Sequence, residues 1–339
     1  MTRLDANALT AWITTGATDH SKGLSRAAAE RFGVSRSTAR KGLARLVEQG
    51  WLVRGGSRSR PVYRPGVLRE VTRSYPLATL EEHLPWARDF AHRFELGANV
   101  AAIARHAFGE LLNNAIDHSS GSTVSVSMRQ NRTHLHLLVS DDGCGVFDRI
   151  RSAYDIEDPQ QAMLELSKGK LTTQPQRHSG RGLYFTSRLF DVFDLHANTV
   201  VYQHTHWGRQ DWLRRHPLQR PGTSIFASIA LDSARTVEAV YRAHSTSDSA
   251  LGFDRTVVPL RLAADAQGTP LESRSQARRV LTRLHEFCIA ELDFAGVTRI
   301  GQGFADEVFR VFAAEHKHLR LVPLNMNADV AATVRGVSP

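Results

Sequence analysis

Four short motifs in a fixed order, between residues 110 and 223, constrain this chain of 339 residues more than any other feature. Each motif brings acidic, amide or glycine residues to a place where a helix, strand or turn begins or ends. The motifs are Glu110-Leu111-Leu112-Asn113-Asn114-Ala115-Ile116-Asp117-His118, Asp141-Asp142-Gly143-Cys144-Gly145, Gly180-Arg181-Gly182-Leu183 and Gly222-Thr223. Together they predict one pocket for a nucleotide.

The first motif is typical of a helix, because apolar residues recur at three- and four-residue spacing around it. The apolar positions are Phe108, Leu111, Leu112, Ala115 and Ile116. On such a helix Glu110 and Asn114 are one turn apart and project from the same face. A carboxylate beside a carboxamide can place a water molecule and hold magnesium, which prefers hard oxygen ligands.

The second and third motifs have the form of ligand-binding turns. The second follows the run of residues 134–139, which is typical of a strand, and ends in an acid and two glycines. Glycine allows the backbone to pass close to a ligand. The third motif is rich in glycine and opens a predicted helix from Leu183 to Leu189, where free backbone N–H groups attract phosphate.

These four motifs resemble the boxes of the GHKL superfamily, the histidine-kinase-like or Bergerat-fold ATPases. The resemblance implies ATP and Mg²⁺ as cofactors, with Glu110 as general base and Asn114 as the magnesium ligand. Asp141 would accept a hydrogen bond from the adenine amino group, and Thr223 would join the water network beside it. The other residues implied at the nucleotide are Asp117, Gly143, Gly145, Lys168, Gly180, Arg181 and Gly182.

The segment from Arg149 to Ser179 separates the second motif from the third and contains many polar and flexible residues. In the superfamily this position holds the ATP lid, a loop that orders over the phosphates. We therefore expect residues 149–179 to form a lid. Its candidate contacts with the γ-phosphate are Lys168, Lys170, Arg177 and Arg181.

Positive charge is concentrated at the N-terminus. Residues 1–75 contain 14 Lys and Arg against 5 Asp and Glu, which accounts for the whole net charge of +9. A phosphate backbone favours clustered Lys and Arg, so double-stranded DNA is the predicted partner of this region.

The pattern of residues 1–66 sharpens that prediction. It indicates a helix from Arg26 to Phe32 capped by Ser25, a second helix from Arg36 to Gln49 capped by Ser35, and two short strands. This order resembles a winged helix-turn-helix of the GntR type, which implies DNA contacts from the second helix and the wing. The implied contacts are Arg36, Ser37, Arg40, Lys41, Arg54, Arg58 and Arg60. Protein contact or dimerisation is the alternative use of such a module.

The rest of the chain divides into three parts. Residues 67–100 are predicted to be a connector with an amphipathic helix from Leu80 to Phe94, and residues 101–235 the ATPase domain. Residues 250–339 alternate strands with helices, which suggests a small α/β layer. The run of residues 291–307 within it resembles a STAS-like domain. In STAS domains an acceptor serine begins the following helix, but Gln302 occupies that position here and Thr298 is the nearest hydroxyl.

The predicted fold class is therefore multidomain α+β: a winged helix, then a GHKL α/β sandwich, then a small STAS-like α/β domain. The predicted function is an ATP-binding, DNA-binding signalling or transcription regulator. In this prediction the STAS-like domain relays ATP occupancy to the winged helix, and slow ATP hydrolysis is compatible with the role. An anti-sigma-type protein serine/threonine kinase acting on a partner protein is the alternative. A regulatory protein partner and a homodimer are left open. The chain lacks a long apolar run or signal peptide, so no membrane partner and a cytoplasmic location are expected.

Overall fold

The computed structural model of the protein describes residues 4–173, 176, 179–198, 200–205, 212–215, 221–246, 252–264 and 270–337. The described residues form a two-stranded, a seven-stranded and a three-stranded sheet, with helices around them. This mixed α/β, multidomain architecture confirms the broad fold class predicted from the sequence. None of the described helices combines the length and apolar content needed to cross a membrane.

The N-terminal part has three helices followed by an antiparallel strand pair. These elements are α1 (Ala6–Asp19), α2 (Leu24–Phe32), α3 (Arg36–Glu48), β1 (Leu52–Gly56) and β2 (Pro61–Pro65). They enclose an apolar core of their own, to which each helix and the strand pair contribute buried side chains. Helix α1 was missed by the sequence analysis.

The caps of α2 and α3 differ from each other. Ser35 caps α3 as predicted, because its Oγ accepts a hydrogen bond of 3.1 Å from the Thr38 N–H. The prediction that Ser25 caps α2 is wrong, since Ser25 lies inside that helix. The chain instead enters α2 through Gly23, whose φ of 89° is in the left-handed region that glycine tolerates.

The predicted connector belongs to the large sheet. Its first half forms β3 (Arg69–Pro76), an edge strand antiparallel to the next strand, and buries Val71 and Tyr75 in alternation. The helix predicted from Leu80 to Phe94 is shorter than expected, because the chain is helical only from Leu84 to Phe90, and its last five residues (Trp86–Phe90) are π-helical. Pro76 is the last residue of β3, and Pro85 lies in the first turn of this helical stretch, where proline is tolerated.

The seven-stranded sheet carries its helices mainly on one face. Its elements are α4 (Ala98–His118), β4 (Thr123–Gln130), β5 (His134–Asp141), α5 (Val146–Tyr154), α6 (Pro159–Lys168), α7 (Gly182–Leu189), β6 (Val192–Ala197), β7 (Val200–Thr205), β8 (Trp212–Arg215), β9 (Thr223–Ala230) and α8 (Val237–Ala243). The strand order is β3-β4-β5-β9-β6-β7-β8, and every described pairing in it is antiparallel. Helix α4 buries the predicted apolar stripe that includes Phe108, Leu111 and Leu112.

The region predicted as a flexible lid is largely helical. Helices α5 and α6 occupy most of residues 149–168, and α6 buries Ala162, Met163 and Leu164 in the core. Asp158 caps α6 by accepting from the Gln160 N–H at 2.9 Å, with Pro159 at the first helical position. These start signals and the apolar positions outweigh the polar composition of the segment.

The C-terminal part alternates strands and helices, as predicted. Its elements are β10 (Arg255–Pro259), α9 (Arg274–Leu281), β11 (Ile289–Asp293), α10 (Gln302–Asp306), a π-helical stretch (Glu307–Phe312), α11 (Ala313–Glu315), β12 (Arg320–Leu324) and α12 (Ala328–Val337). The three strands are parallel in the order β10-β11-β12. The apolar core of this part is continuous with that of the seven-stranded sheet.

Candidate functional site

A cavity of about 250 Å³ lies between α4, α5, α6 and the start of α7, beside the ends of β5 and β9. Residues from all four sequence motifs line it. Seven of the eleven residues predicted at the nucleotide are among them: Glu110, Asn114, Asp141, Gly180, Arg181, Gly182 and Thr223. Residues far apart in sequence are thus brought to one concave site, the usual form of a ligand-binding site.

Asp141 is held in a fixed orientation at the end of β5. Its Oδ1 accepts hydrogen bonds from the backbone N–H groups of Gly143 at 2.9 Å and of Thr223 at 3.1 Å. Burial raises the pKa of the Asp141 carboxyl, and these two backbone hydrogen bonds oppose that shift. Among the described residues no group donates a hydrogen bond to Asp141 Oδ2, so this oxygen can accept a hydrogen bond from a ligand.

Two glycines are needed for that turn. A Cβ atom on Gly222, whose φ is 93°, would lie 2.2 Å from the Asp141 carbonyl oxygen. A Cβ atom on Gly143 would lie 2.1 Å from the Ser119 carbonyl oxygen. Gly143 does not line the cavity, but it lets the loop after β5 pack against the end of α4.

The two acids of the second motif have different environments. The Asp142 carboxylate accepts from the N–H and hydroxyl groups of Ser122 and Thr123. These hydrogen bonds lower the pKa of Asp142. Asp142 therefore ties the start of β4 to the end of β5, whereas Asp141 faces the cavity.

Glu110 and Asn114 line the cavity from one face of α4, as the sequence predicts. The Nδ2 atom of Asn114 and the Oδ1 atom of its neighbour Asn113 are buried and have no hydrogen-bond partner among the described residues. Buried polar atoms are normally satisfied, so two unsatisfied amides beside a carboxylate indicate a polar ligand.

These residues fit a magnesium ion that is bound together with a phosphate ligand. No group of three or more His, Cys, Asp or Glu in the described part of the chain is arranged to hold a metal by itself. Magnesium usually takes few protein ligands and completes its shell with waters and substrate phosphates. One amide oxygen from Asn114 is consistent with that mode of binding.

The start of α7 is close to the Glu110 carboxylate. A Cβ atom on Gly182 would lie 2.1 Å from Glu110 Oε2, so a side chain at position 182 would displace the Glu110 carboxylate. The N-terminal N–H groups of a helix and its dipole favour anions. Gly180, Arg181 and Gly182 therefore form a suitable surface for phosphate at the wall of the cavity.

Four predicted residues do not line the cavity: Asp117, Gly143, Gly145 and Lys168. The prediction that Lys168 contacts a phosphate is wrong for this structure, because the side chain is fully buried elsewhere. Its Nζ donates to Glu165 at 2.7 Å and to the Thr282 carbonyl oxygen at 2.8 Å. The Lys170 ammonium also points to the C-terminal part, where it donates to the Glu286 carbonyl oxygen. Arg177 lies outside the described residues.

The cavity also contains residues that sequence reasoning missed. Thr172 and Thr173 line it, and Thr173 Oγ1 is 3.2 Å from His118 Nδ1. Arg149, at the C-terminal side of the second motif, lines it too. No motif or spacing in the sequence distinguishes the two threonines from other polar residues of this segment.

The predicted DNA contacts lie on the surface of the N-terminal part. Arg36, Ser37, Arg40 and Lys41 are exposed at the start of α3, and Arg54, Arg58 and Arg60 are exposed on or between β1 and β2. None of the six cations makes a side-chain hydrogen bond or ion pair with any described residue. Their charges are therefore available to an external anion.

Comparison with known proteins identifies two regions of the chain. Residues 76–203 match the family of histidine kinase-like ATPase domains, which confirms that part of the resemblance and implies ATP binding, usually with Mg²⁺. Residues 276–331 match a STAS-like domain of unknown function. The chain thus combines a histidine kinase-like ATPase domain with a C-terminal STAS-like domain, a combination that suggests an ATP-binding regulatory protein.

Comparisons of the whole chain add little. No curated protein matches it. Among solved structures, the IcIR transcriptional regulator from Alicyclobacillus acidocaldarius is similar at 16% identity, over 71% of this chain and 94% of that one. Its TM-score of 0.19 is too low for any argument about fold or function.

Proposed function

We propose that the protein is an ATP-dependent regulator in which Mg-ATP in the cavity controls DNA binding by a winged helix at residues 1–66. In this proposal the ATPase domain comprises the predicted residues 101–235 together with the edge strand β3, and the STAS-like domain spans residues 250–339. The observation that carries the proposal is the cavity itself, where Glu110, Asn114 and Asp141 converge with a glycine-rich helix start.

Each cavity residue has a proposed role. Asp141 Oδ2 accepts from the adenine amino group while Oδ1 stays bonded to the backbone. Asn114 holds a magnesium ion, which when bound neutralises phosphate charge. Gly180 and Gly182 let backbone N–H groups approach the phosphates. Glu110 positions a water molecule or a partner hydroxyl for attack.

The order of elements in residues 1–66 supports a winged helix. Helix α3 follows α2 through a turn at Gly33, and the β1–β2 pair follows α3. A third backbone segment joins the wing, because the Tyr63 N–H donates to the Ser21 carbonyl oxygen at 2.9 Å. In proteins of this shape the start of the second helix of the motif enters the major groove, and here that start carries Arg36, Arg40 and Lys41.

Direct contact between the winged helix and the ATPase sheet supplies a route for coupling. The Glu70 N–H of edge strand β3 donates to Thr14 Oγ1 of α1 at 2.9 Å, and Thr14 is fully buried. Arg93 reaches Asp19 at the end of α1 at 2.5 Å. No described hydrogen bond links residues 1–66 with residues 252–337. We therefore favour this direct route over a relay through the STAS-like domain.

The alternative function, an anti-sigma-type protein kinase, is favoured by the pairing of an ATPase domain with a STAS-like domain in one chain. Transfer within the chain to the usual acceptor position is disfavoured, because Gln302 begins α10 and has no hydroxyl group. Incubation with γ-labelled ATP separates the classes: label in free phosphate supports the regulator with slow hydrolysis, and label on protein supports the kinase.

Substitution of Glu110 tests the chemical step in either class. We expect Glu110→Ala to bind ATP normally and to lose phosphate release or transfer by about a hundred-fold or more, as loss of a general base does. Phosphate release and calorimetric ATP affinity are the measurements. Glu82→Ala, at an exposed position, is the matched control. Undiminished turnover in Glu110→Ala removes Glu110 from the mechanism.

Substitution of Asp141 tests the adenine contact. In Asp141→Asn the remaining oxygen can still accept from Gly143 and Thr223, which leaves an amide N–H₂ facing the adenine amino group, donor against donor. We expect the preference for ATP over GTP to fall about tenfold or more. Asp142→Asn is the control, since Asp142 is engaged by Ser122 and Thr123. Competition binding with both nucleotides measures the ratio, and an unchanged ratio in Asp141→Asn excludes this role.

A further inference from the structure

The STAS-like domain contacts both sides of the segment that borders the cavity between α6 and α7. We call residues 169–173 and 179–181 the border segment. Leu171, Thr172 and Thr173 line the cavity on one side, and Gly180 and Arg181 line it on the other. The two sides touch, because a Cβ atom on Gly180 would lie 2.5 Å from the Leu171 backbone nitrogen. A shift of residues 169–171 is therefore felt at Gly180.

Two cations cap each other's helices across this contact. Lys168, the last residue of α6, donates from Nζ to the carbonyl oxygens of Thr282 at 2.8 Å and Arg279 at 3.4 Å, at the end of α9. Arg283, just beyond α9, donates to the carbonyl oxygens of Gly169 at 3.0 Å and Lys170 at 2.6 Å, just beyond α6. The last carbonyls of a helix lack partners within it, and here each domain supplies the partner for the other.

A buried carboxylate balances the two cations. Glu165, one turn before Lys168, accepts from Lys168 Nζ at 2.7 Å and from Arg283 Nη1 at 3.4 Å. Burial lowers the pKa of the Lys168 ammonium to about 8, and Glu165 opposes that shift. Removal of one partner from a buried network of this kind leaves uncompensated charge and is strongly unfavourable.

An aromatic pair of the C-terminal part holds the border segment at a second place. The Phe253 and Phe287 rings are 5.4 Å apart. The Arg181 guanidinium lies 5.9 Å from the Phe253 ring, and the Lys170 ammonium lies 4.3 Å from the Phe287 ring. Both sides of the border segment therefore rest on one aromatic surface through cation–π contacts.

We infer that Lys168 and Arg283 are positioning residues of the nucleotide site, through which the STAS-like domain holds the border segment in the conformation that receives phosphate. The inference rests on the proposed function, because it concerns the same cavity. It gives Lys168 an indirect role in place of the phosphate contact expected from the sequence. It also makes the STAS-like domain part of the ATP site.

The test uses the full chain and two probes, Mg-ATP and adenosine, which lacks phosphate. In Arg283→Met and in Lys168→Met we expect ATP affinity to fall about tenfold, a typical size for coupling between sites, with adenosine affinity unchanged. Arg299→Met is the matched control, because Arg299 makes an exposed ion pair with Glu272 in the same domain. Calorimetric titration gives the affinities, and thermal unfolding identifies variants that remain folded.

The outcomes separate this inference from the proposed function. Wild-type protein that binds neither Mg-ATP nor adenosine defeats the proposed function, and the inference with it. Wild-type protein that binds both, with ATP affinity unchanged in folded Arg283→Met, overturns the inference alone. Equal weakening for both probes also overturns it, because that result indicates general loosening. If Arg283→Met does not fold, Arg283→Lys takes its place, because a single ammonium keeps the charge but not the fork of donors. The loss of ATP affinity relative to adenosine affinity is then measured in that variant.

Discussion

Asn114→Ala is expected to weaken magnesium-dependent ATP binding by about a hundred-fold or more, which corresponds to about 2.8 kcal/mol. The side chain is the proposed protein ligand of the metal, and a magnesium site of this type has few others. Calorimetric titration with Mg-ATP measures the loss.

The stability of this variant distinguishes a binding defect from a folding defect. Asn114 Nδ2 is buried without a partner among the described residues, so removal of the amide deletes no described hydrogen bond. We expect the melting temperature of the ligand-free protein to be unchanged or slightly raised. Asn99→Ala, at an exposed position on the same helix, is the matched control. Normal Mg-ATP affinity in Asn114→Ala contradicts the assignment of the cavity.

The parts of the fold that the sequence predicts well are those specified by local signals. The Ser35 cap, the apolar stripe of α4 and the alternation of strands and helices after residue 250 depend on neighbours a few positions away. The four motifs belong in this group, because a glycine or acid at the end of an element is a local feature. The cavity lining they predict includes Glu110, Asn114 and Asp141.

The errors concern residues whose environment is decided by distant parts of the chain. Polar composition suggested a loop for residues 149–179, but the apolar face of α6 packs into a core shared with the STAS-like domain. Residues 69–76 became a strand because β4 supplies a pairing edge. Lys168 was expected at the γ-phosphate, yet its partners include carbonyls more than a hundred residues further along. No periodicity in the sequence contains that information.

The largest effect outside the cavity is expected for DNA binding by the full chain. Residues 1–66 pack on β3 through Thr14, so DNA binding is measured with the full-length protein and not with an isolated N-terminal fragment. We expect affinity for duplex DNA to fall about tenfold or more between 50 and 200 mM salt, as the release of several counterions requires. Fluorescence anisotropy on a selected duplex and on an unrelated one measures both affinity and sequence preference.

Two triple variants that remove equal charge separate base contacts from phosphate contacts. Replacement of Arg36, Arg40 and Lys41 by Ala is expected to lose the preference for the selected duplex, at about 1–3 kcal/mol for each base contact. Replacement of Arg54, Arg58 and Arg60 by Ala is expected to weaken both duplexes alike and to lower the salt slope by about one for each phosphate contact. All six side chains are exposed, so neither variant should unfold.

A third triple variant controls for net charge. Lys317, Arg320 and Arg335 are exposed in the STAS-like domain, and their replacement by Ala removes the same three charges far along the chain from the proposed DNA surface. We expect its DNA affinity to stay close to that of the wild type, because none of these three side chains belongs to the proposed DNA surface. Equal losses of DNA affinity in all three variants would show that binding depends on net charge alone. If the wild-type protein retards no duplex even at low salt, the DNA-binding role proposed for residues 1–66 fails, and contact with a protein partner becomes the favoured role.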